Sequence, residues 1–312
     1  MTSAKTVRYE RDGSISIIEV EVPLPGFGEI QLQGGACGIC SWDIATCKLG
    51  EKMHPVAPPG HEGVGIVSAV GPGVSGFEIG DRVAGGGFAT LRNISADRAY
   101  KIPDSPWADE YWIVEPVSCV VTGLDHCHLL AGDRVAVVGS GFMGLMLLQG
   151  LVHSFAQRVV AIDVVSSRLE LAQRIGVQET YNLADIGATE LLAKLKPDEF
   201  DTVVDTTGSQ AALDFSTDLV KRGGRINVFG WLKGDRASFD ATKWHGGGFT
   251  VVNSSPSSQI RDPFPPAIRL MERRIIDLQP LVTHVVTLDE YPDLMKNIVA
   301  GNPTYVKGVI RL

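Results

Sequence analysis

The stretch Val135-Ala-Val-Val-Gly-Ser-Gly-Phe-Met-Gly144 decides how the rest of the chain is read. A short β-branched run ends there in Gly139, Gly141 and Gly144, with Phe142 and Met143 between the last two, so the segment reads as strand, tight turn and helix start. Gly139 permits the turn, Gly141 lets the backbone approach a pyrophosphate, and Gly144 lets the helix pack on the strand. A diphosphate would then sit on the free N–H groups of the helix N-terminus. Glycine turns after strands are common, so the following strand matters. Val159-Val-Ala-Ile-Asp163 ends in an acid about twenty residues on, where a carboxylate can accept hydrogen bonds from both adenosine ribose hydroxyls. The same carboxylate would repel a 2′-phosphate, which favours NAD over NADP unless Arg168 faces the ribose edge. An Asp at a strand end can instead serve a turn or a helix cap, and Ser166 is an available N-cap beside it.

Working outward, the region from Arg134 to Asn253 alternates strand and helix. The strands are expected at 134–138, 158–163, 179–182, 201–205, 224–230 and 249–253, with helices at 141–153, 166–175, 184–195 and 210–220. Such alternation builds a doubly wound parallel sheet covered by helices on both faces. Before it, residues 6–87 read as short strands joined by glycine and proline, an all-β half. Pro103, Pro106 and a cluster of acids and tryptophans mark the crossing between the two. Two helices, near 267–276 and 289–300, and a strand at 306–312 exceed what a six-stranded sheet needs and are expected to return to the first half. The expected division is therefore 1–116, 117–253 and 254–312.

The 312 residues suit two domains, and 44% hydrophobic with 21% charged residues is ordinary globular composition. A net charge of −8 argues against a nucleic-acid or anionic-membrane partner. The first ten residues lack the apolar core of a signal peptide and no run is long enough to span a membrane, so a cytoplasmic enzyme is expected. Five unevenly spaced cysteines do not form a disulfide framework.

The β-rich half carries Cys37-Gly-Ile-Cys40-Ser-Trp-Asp43 and Pro59-Gly-His61-Glu62, and the crossing carries Glu115-Pro116. A thiolate, an imidazole and carboxylates suit Zn²⁺, and three protein ligands with an open fourth position describe a catalytic rather than a structural site. The single Cys-x-x-Cys has no second pair, which argues against a four-cysteine site. Cys37, Cys47, Cys119 and Cys127 read as core or incidental thiols. His126 and His128 read as solvent-facing or cap residues, and His54, His153, His245 and His284 have no partner visible in the sequence.

These segments, with Gly63-Val-Gly-Ile-Val67, Gly80-Asp-Arg-Val83, Phe200-Asp-Thr-Val-Val-Asp205, Gly208 and Gly223-Gly-Arg-Ile226, resemble the medium-chain dehydrogenase/reductase family. Its zinc-dependent polyol and threonine dehydrogenase branch is the most similar. The resemblance spans nearly the whole chain. It implies a GroES-like β-rich catalytic domain plus a Rossmann domain, an α/β protein with its active site in the cleft between them. It further implies that Cys40 and His61 hold one catalytic zinc, with Glu115 as third ligand and Glu62 as the neighbouring carboxylate that joins the metal or waits beside it. Asp43 would accept a hydrogen bond from His61 and fix its tautomer. Arg168 would reach the adenosine ribose, and the backbone around Phe229, Gly230 and Asn253 would line the nicotinamide end.

Two departures from the family pattern stand out. Val83 runs within a few residues into Gly87-Phe-Ala-Thr-Leu-Arg92, leaving no room for the four-cysteine lobe that holds a structural zinc in relatives. Trp42 occupies the position where relatives carry a Ser or Thr that relays the substrate proton, so either Ser41 substitutes or Glu115 acts through the zinc-bound water. The expected activity is hydride transfer between NAD and a secondary alcohol on a polyol, sugar acid or amino alcohol. The rival readings are a zinc-free quinone or enoyl-type reductase of the same fold and a non-catalytic dinucleotide-sensing protein. The partner is a small-molecule alcohol or ketone, and the resemblance implies a homodimer or homotetramer.

Overall fold

A computed structural model of the chain describes residues 1–50, 59–196, 200–230 and 236–312; His54 lies outside them. The chain divides into two compact units, residues 1–117 with 278–312 and residues 118–277.

The first unit opens with the hairpin β1 (Thr2–Tyr9) and β2 (Ile15–Val22). Strand β3 (Glu29–Gly38) leads into helix α1 (Ser41–Leu49), followed by β4 (Glu62–Val70), β5 (Arg82–Ala84), β6 (Leu91–Ser95) and β7 (Tyr100–Lys101). Helix α2 (Val114–Cys127) carries the boundary between the units. The expectation of an all-β first half is corrected by α1. Its start is a capping box in which the Cys40 side chain accepts from Trp42 N–H and Asp43 accepts from the Cys40 N–H.

The second unit continues with β8 (Arg134–Val138), α3 (Phe142–Val152), β9 (Arg158–Asp163), α4 (Ser166–Arg174) and β10 (Glu179–Asn182). Next come α5 (Leu183–Ile186) and α6 (Ala188–Leu195), two helices where one was expected, because the chain turns at Gly187. Strand β11 (Phe200–Asp205), α7 (Gln210–Leu219), β12 (Val220–Val228), α8 (Ala241–Gly247), β13 (Thr250–Asn253) and α9 (Phe264–Glu272) complete it. The sheet is parallel throughout, in the order β10-β9-β8-β11-β12-β13. Numbered within the unit this is 3-2-1-4-5-6, the Rossmann order with its reversal between β8 and β11. Helix α3 is apolar nearly all round and buries Leu145, Met146, Leu147, Leu148 and Leu151 completely. Each such side chain stabilises the fold by about 1.5–3 kcal/mol relative to exposure.

The chain then re-enters the first unit with β14 (Val282–Thr287), α10 (Tyr291–Val299) and β15 (Lys307–Arg311). These strands extend the larger sheet, ordered β14-β15-β3-β4-β5-β7, with β6 also paired to β3. The re-entry falls at 278, later than the expected 254. Residues 254–277 are tied into the second unit: Gln149 on α3 brackets the Asp277 backbone in both directions, and Arg261 grips Asp125 with two bonds. Among the described residues no helix is long and apolar enough to cross a membrane.

Candidate functional site

Strands β3 and β4 pair antiparallel with Gly38 opposite Glu62, which carries Cys40, just past the end of β3, toward the start of β4. The ligand atoms of Cys40, His61 and Glu62 all lie within 4.8 Å of one another, and among the described residues this is the one such group of three or more. Glu62 is 2% exposed, whereas Cys40 and His61 are half-buried. Glu115 stands half-buried in the first turn of α2 and is not part of the group. Ser41 is exposed, its hydroxyl 4.0 Å from the Cys40 sulfur.

Asp43 spends both oxygens on the local scaffold. Oδ2 accepts from the Cys40 N–H at 2.8 Å and Oδ1 from the Tyr9 hydroxyl at 2.8 Å, which in turn lies 2.9 Å from the Tyr291 hydroxyl. The hydrogen bond expected between Asp43 and His61 is not formed. Asp43 instead fixes the backbone that presents the thiol. Burial raises the Asp43 carboxyl above its ordinary value, opposed by the bonds from Cys40 and Tyr9.

Lys307, on β15, was not foreseen. Its ammonium donates to Glu62 Oε2 at 2.5 Å and to the Ile39 carbonyl at 2.8 Å. Burial alone would lower this lysine, but Glu62, together with Tyr305 and Cys40, more than offsets it and holds the group above its ordinary value. No local motif marks Lys307; only the pairing of β15 with β3 brings it there.

The sulfur, nitrogen and oxygen donors of this group are of the types that suit a borderline-soft dication. Burial, reinforced by Glu62, pushes the Cys40 thiol up to about 12. Such a thiol is protonated at neutral pH, and a bound dication would displace that proton to obtain its thiolate ligand.

The second unit carries the glycine turn. Gly139 has φ 101°, a backbone conformation that disfavours a side chain, and a Cβ there would lie 2.4 Å from the Thr206 hydroxyl. That hydroxyl donates to the Gly139 carbonyl at 2.8 Å, joining the ends of β8 and β11 where the strand order reverses. Gly144 is buried, and a Cβ on it would meet the Gly139 carbonyl oxygen at 2.0 Å. Gly141 is the N-cap of α3, and a Cβ there would meet nothing within 4 Å, so the N-terminus of the helix is left open. Phe142 and Met143 follow in its first turn, both half-buried.

Asp163 is 7% exposed. Its Oδ2 accepts from Ser140 N–H at 2.5 Å, and its Oδ1 from Val164 and Val165 N–H at 2.8 and 2.9 Å. It therefore caps the approach to α4 and braces the glycine turn. Ser166 is the first residue of α4, not its cap; its hydroxyl accepts from Asn182. Arg168 places a guanidinium nitrogen 3.9 Å from Asp163. Phe229 packs its ring on Gly123, Gly230 lies against the backbone of Thr206 and Gly208, and Asn253 is exposed at the end of β13.

His126 corrects the reading that placed it at the surface. It is 4% exposed and its Nδ1 lies 3.0 Å from the Ser254 hydroxyl, which donates to Asn227. His128 is exposed, with φ 46°, just past the end of α2. Cys37 and Cys127 are buried, Cys47 and Cys119 half-buried, and none of them is in a disulfide.

A mainly antiparallel β-rich unit carrying a candidate sulfur–imidazole–carboxylate metal group and a Rossmann unit together have the architecture of a nucleotide-dependent dehydrogenase. Comparison with known proteins agrees. Residues 26–104 match the profile of the alcohol dehydrogenase GroES-like domain and residues 143–273 that of the zinc-binding dehydrogenases. D-arabinitol dehydrogenase 1 of Uromyces fabae is 29% identical over 94% of this chain and 93% of its own length. L-threonine 3-dehydrogenase of Vibrio parahaemolyticus is 29% identical over 94% and 96%. The crystal structure of 2R,3R-butanediol dehydrogenase from Bacillus subtilis superposes with a TM-score of 0.88 at 22% identity, covering 99% of both chains. The chain belongs to the zinc-type alcohol dehydrogenase family of oxidoreductases.

Proposed function

We propose that the protein is a zinc-dependent, NAD-linked dehydrogenase that interconverts a secondary alcohol, on a polyol, sugar acid or amino alcohol, with its ketone. The observation that carries this reading is the convergence of Cys40, His61 and Glu62 within 4.8 Å. Cys40 and His61 would hold one Zn²⁺, with Glu115 as the assigned third ligand. The metal supplies Lewis acidity toward the substrate hydroxyl. Asp43 orients the thiol through the Cys40 N–H, and Glu115 would receive the hydroxyl proton through an intervening water, a task the Trp42 indole cannot perform. Bound NAD⁺ would supply the hydride acceptor, so that the overall conversion gives the ketone, NADH and a proton. Relatives named for D-arabinitol and L-threonine support a secondary hydroxyl over ethanol. Asp163 supports NAD through its negative charge beside the glycine turn.

Metal analysis combined with an NAD⁺-reduction screen over polyols, sugar acids, amino alcohols and simple alcohols tests the reading. About one zinc per chain is expected, with activity abolished by chelation, restored by Zn²⁺ and absent in Cys40→Ala. Full turnover by metal-free protein would overturn it.

A further inference from the structure

Strands β15, β3 and β4 lie side by side, and Gly38 on the central strand faces Glu62 on one neighbour and Val309 on the other. A Cβ on Gly38 would stand 2.1 Å from Glu62 Oε2 and 3.1 Å from Lys307 Cε. The middle strand therefore lacks a side chain at the point where Lys307 and Glu62 reach toward each other across it. Both partners are almost completely enclosed, with side chains 4% and 3% exposed. The ammonium also binds the carbonyl of Ile39, the residue before Cys40. One cation thus ties a carboxylate of the metal group to the backbone that carries its thiol.

We propose that Lys307 is a positioning residue that holds Glu62 back from the metal and keeps a coordination position open for the substrate oxygen. The proposal rests on the metal-site reading above. A buried carboxylate without a counter-charge is drawn to the nearest cation, and at this site that would be the dication on Cys40 and His61. Lys307 competes for the same carboxylate and grips it by Oε2. Gly38 makes the grip possible, because any larger residue would occupy the space of the oxygen. A buried ion pair serving only to fasten the end of the sheet would leave the metal's coordination unchanged, and this difference is measurable.

The experiment uses full-length protein loaded with Co²⁺, whose visible d–d bands change in position and intensity when a carboxylate enters the coordination shell. Wild type, K307R, K307M, E62Q and E62Q/K307M are compared by band position and intensity and by the rate of metal transfer to a chelator. K307R should match wild type, since it keeps the charge. K307M should show shifted bands and about tenfold slower metal release, the scale on which residues behind the ligands alter metal affinity. In the E62Q background, K307M should change neither quantity. Should K307M fail to fold, K307Q carries the same expectation while retaining a hydrogen-bonding group. Wild-type bands and release rate in the charge-removing variant, or a shift that persists in E62Q, would refute the role of Lys307. A wild-type chain that takes up no Co²⁺ refutes the metal-site reading itself, and the proposal with it.

Discussion

Replacing Asp163 with alanine should destabilise the protein before any cofactor is added. The carboxylate accepts three backbone N–H bonds, from Ser140, Val164 and Val165. Ser140 is fully buried, so its N–H would lose its partner with no water to replace it, at about 1–3 kcal/mol. The other two N–H groups are partly reachable by solvent and should add about 0.5–1.5 kcal/mol each. A total near 3 kcal/mol, for a unit of this size, corresponds to a fall of about 6–12 °C in the melting midpoint. Asp163→Asn should lie between: one oxygen can still serve Val164 and Val165, but the amide nitrogen would face the Ser140 N–H donor to donor. Thermal melts of the cofactor-free proteins, followed by NAD⁺ titration, separate the two roles. If Asp163→Ala melts like wild type without cofactor while its NAD⁺ affinity collapses, the carboxylate serves the ribose alone and the bracing of the turn counts for nothing.

Gly144→Ala places a methyl group 2.0 Å from the Gly139 carbonyl oxygen. Overpacking of this kind should cost about 1–3 kcal/mol and weaken dinucleotide binding; unchanged stability and affinity would show that the turn relaxes freely. Glu179 is held below its ordinary value of 4.5, chiefly by hydrogen bonds from Arg158. A depressed carboxylate stabilises the fold above its unfolded value and loses that contribution as pH falls through its folded value. Glu179→Gln should therefore be less stable than wild type by about 0.5–1 kcal/mol at pH 7, after allowing for solvent screening. Urea titrations should show the gap closing below pH 4.5; a gap of equal size in acid would contradict the assignment.

Much of the Rossmann unit was legible because strands such as Arg134–Val138 and Arg158–Asp163 are compact, mainly apolar runs that alternate with helical segments. The strands 134–138, 158–163 and 179–182 fall where the sequence places them. Helix α1 was not legible. Cys40 and Asp43 were read for metal chemistry, and the same residues form the capping box that starts the helix. Asp163 was legible as a residue that matters, yet which donors it serves depends on how the turn folds back on β9. The core of the metal group could be read from local motifs. Lys307 could not, because a single lysine in a strand looks like any other until the register sets it across Gly38 from Glu62.

The position of β15 between β14 and β3 governs the order in which the protein can be assembled on the ribosome. Residues 118–277 are synthesised as one uninterrupted block and contain every strand of their own sheet, so this unit can close while translation continues. The N-terminal unit cannot. Until residues 307–311 emerge, the edge of β3 that β15 will cover lacks its final neighbour, and Glu62 lacks its counter-charge. The half of the protein that is made first is therefore finished last, and its acidic group is neutralised only when the closing strand arrives.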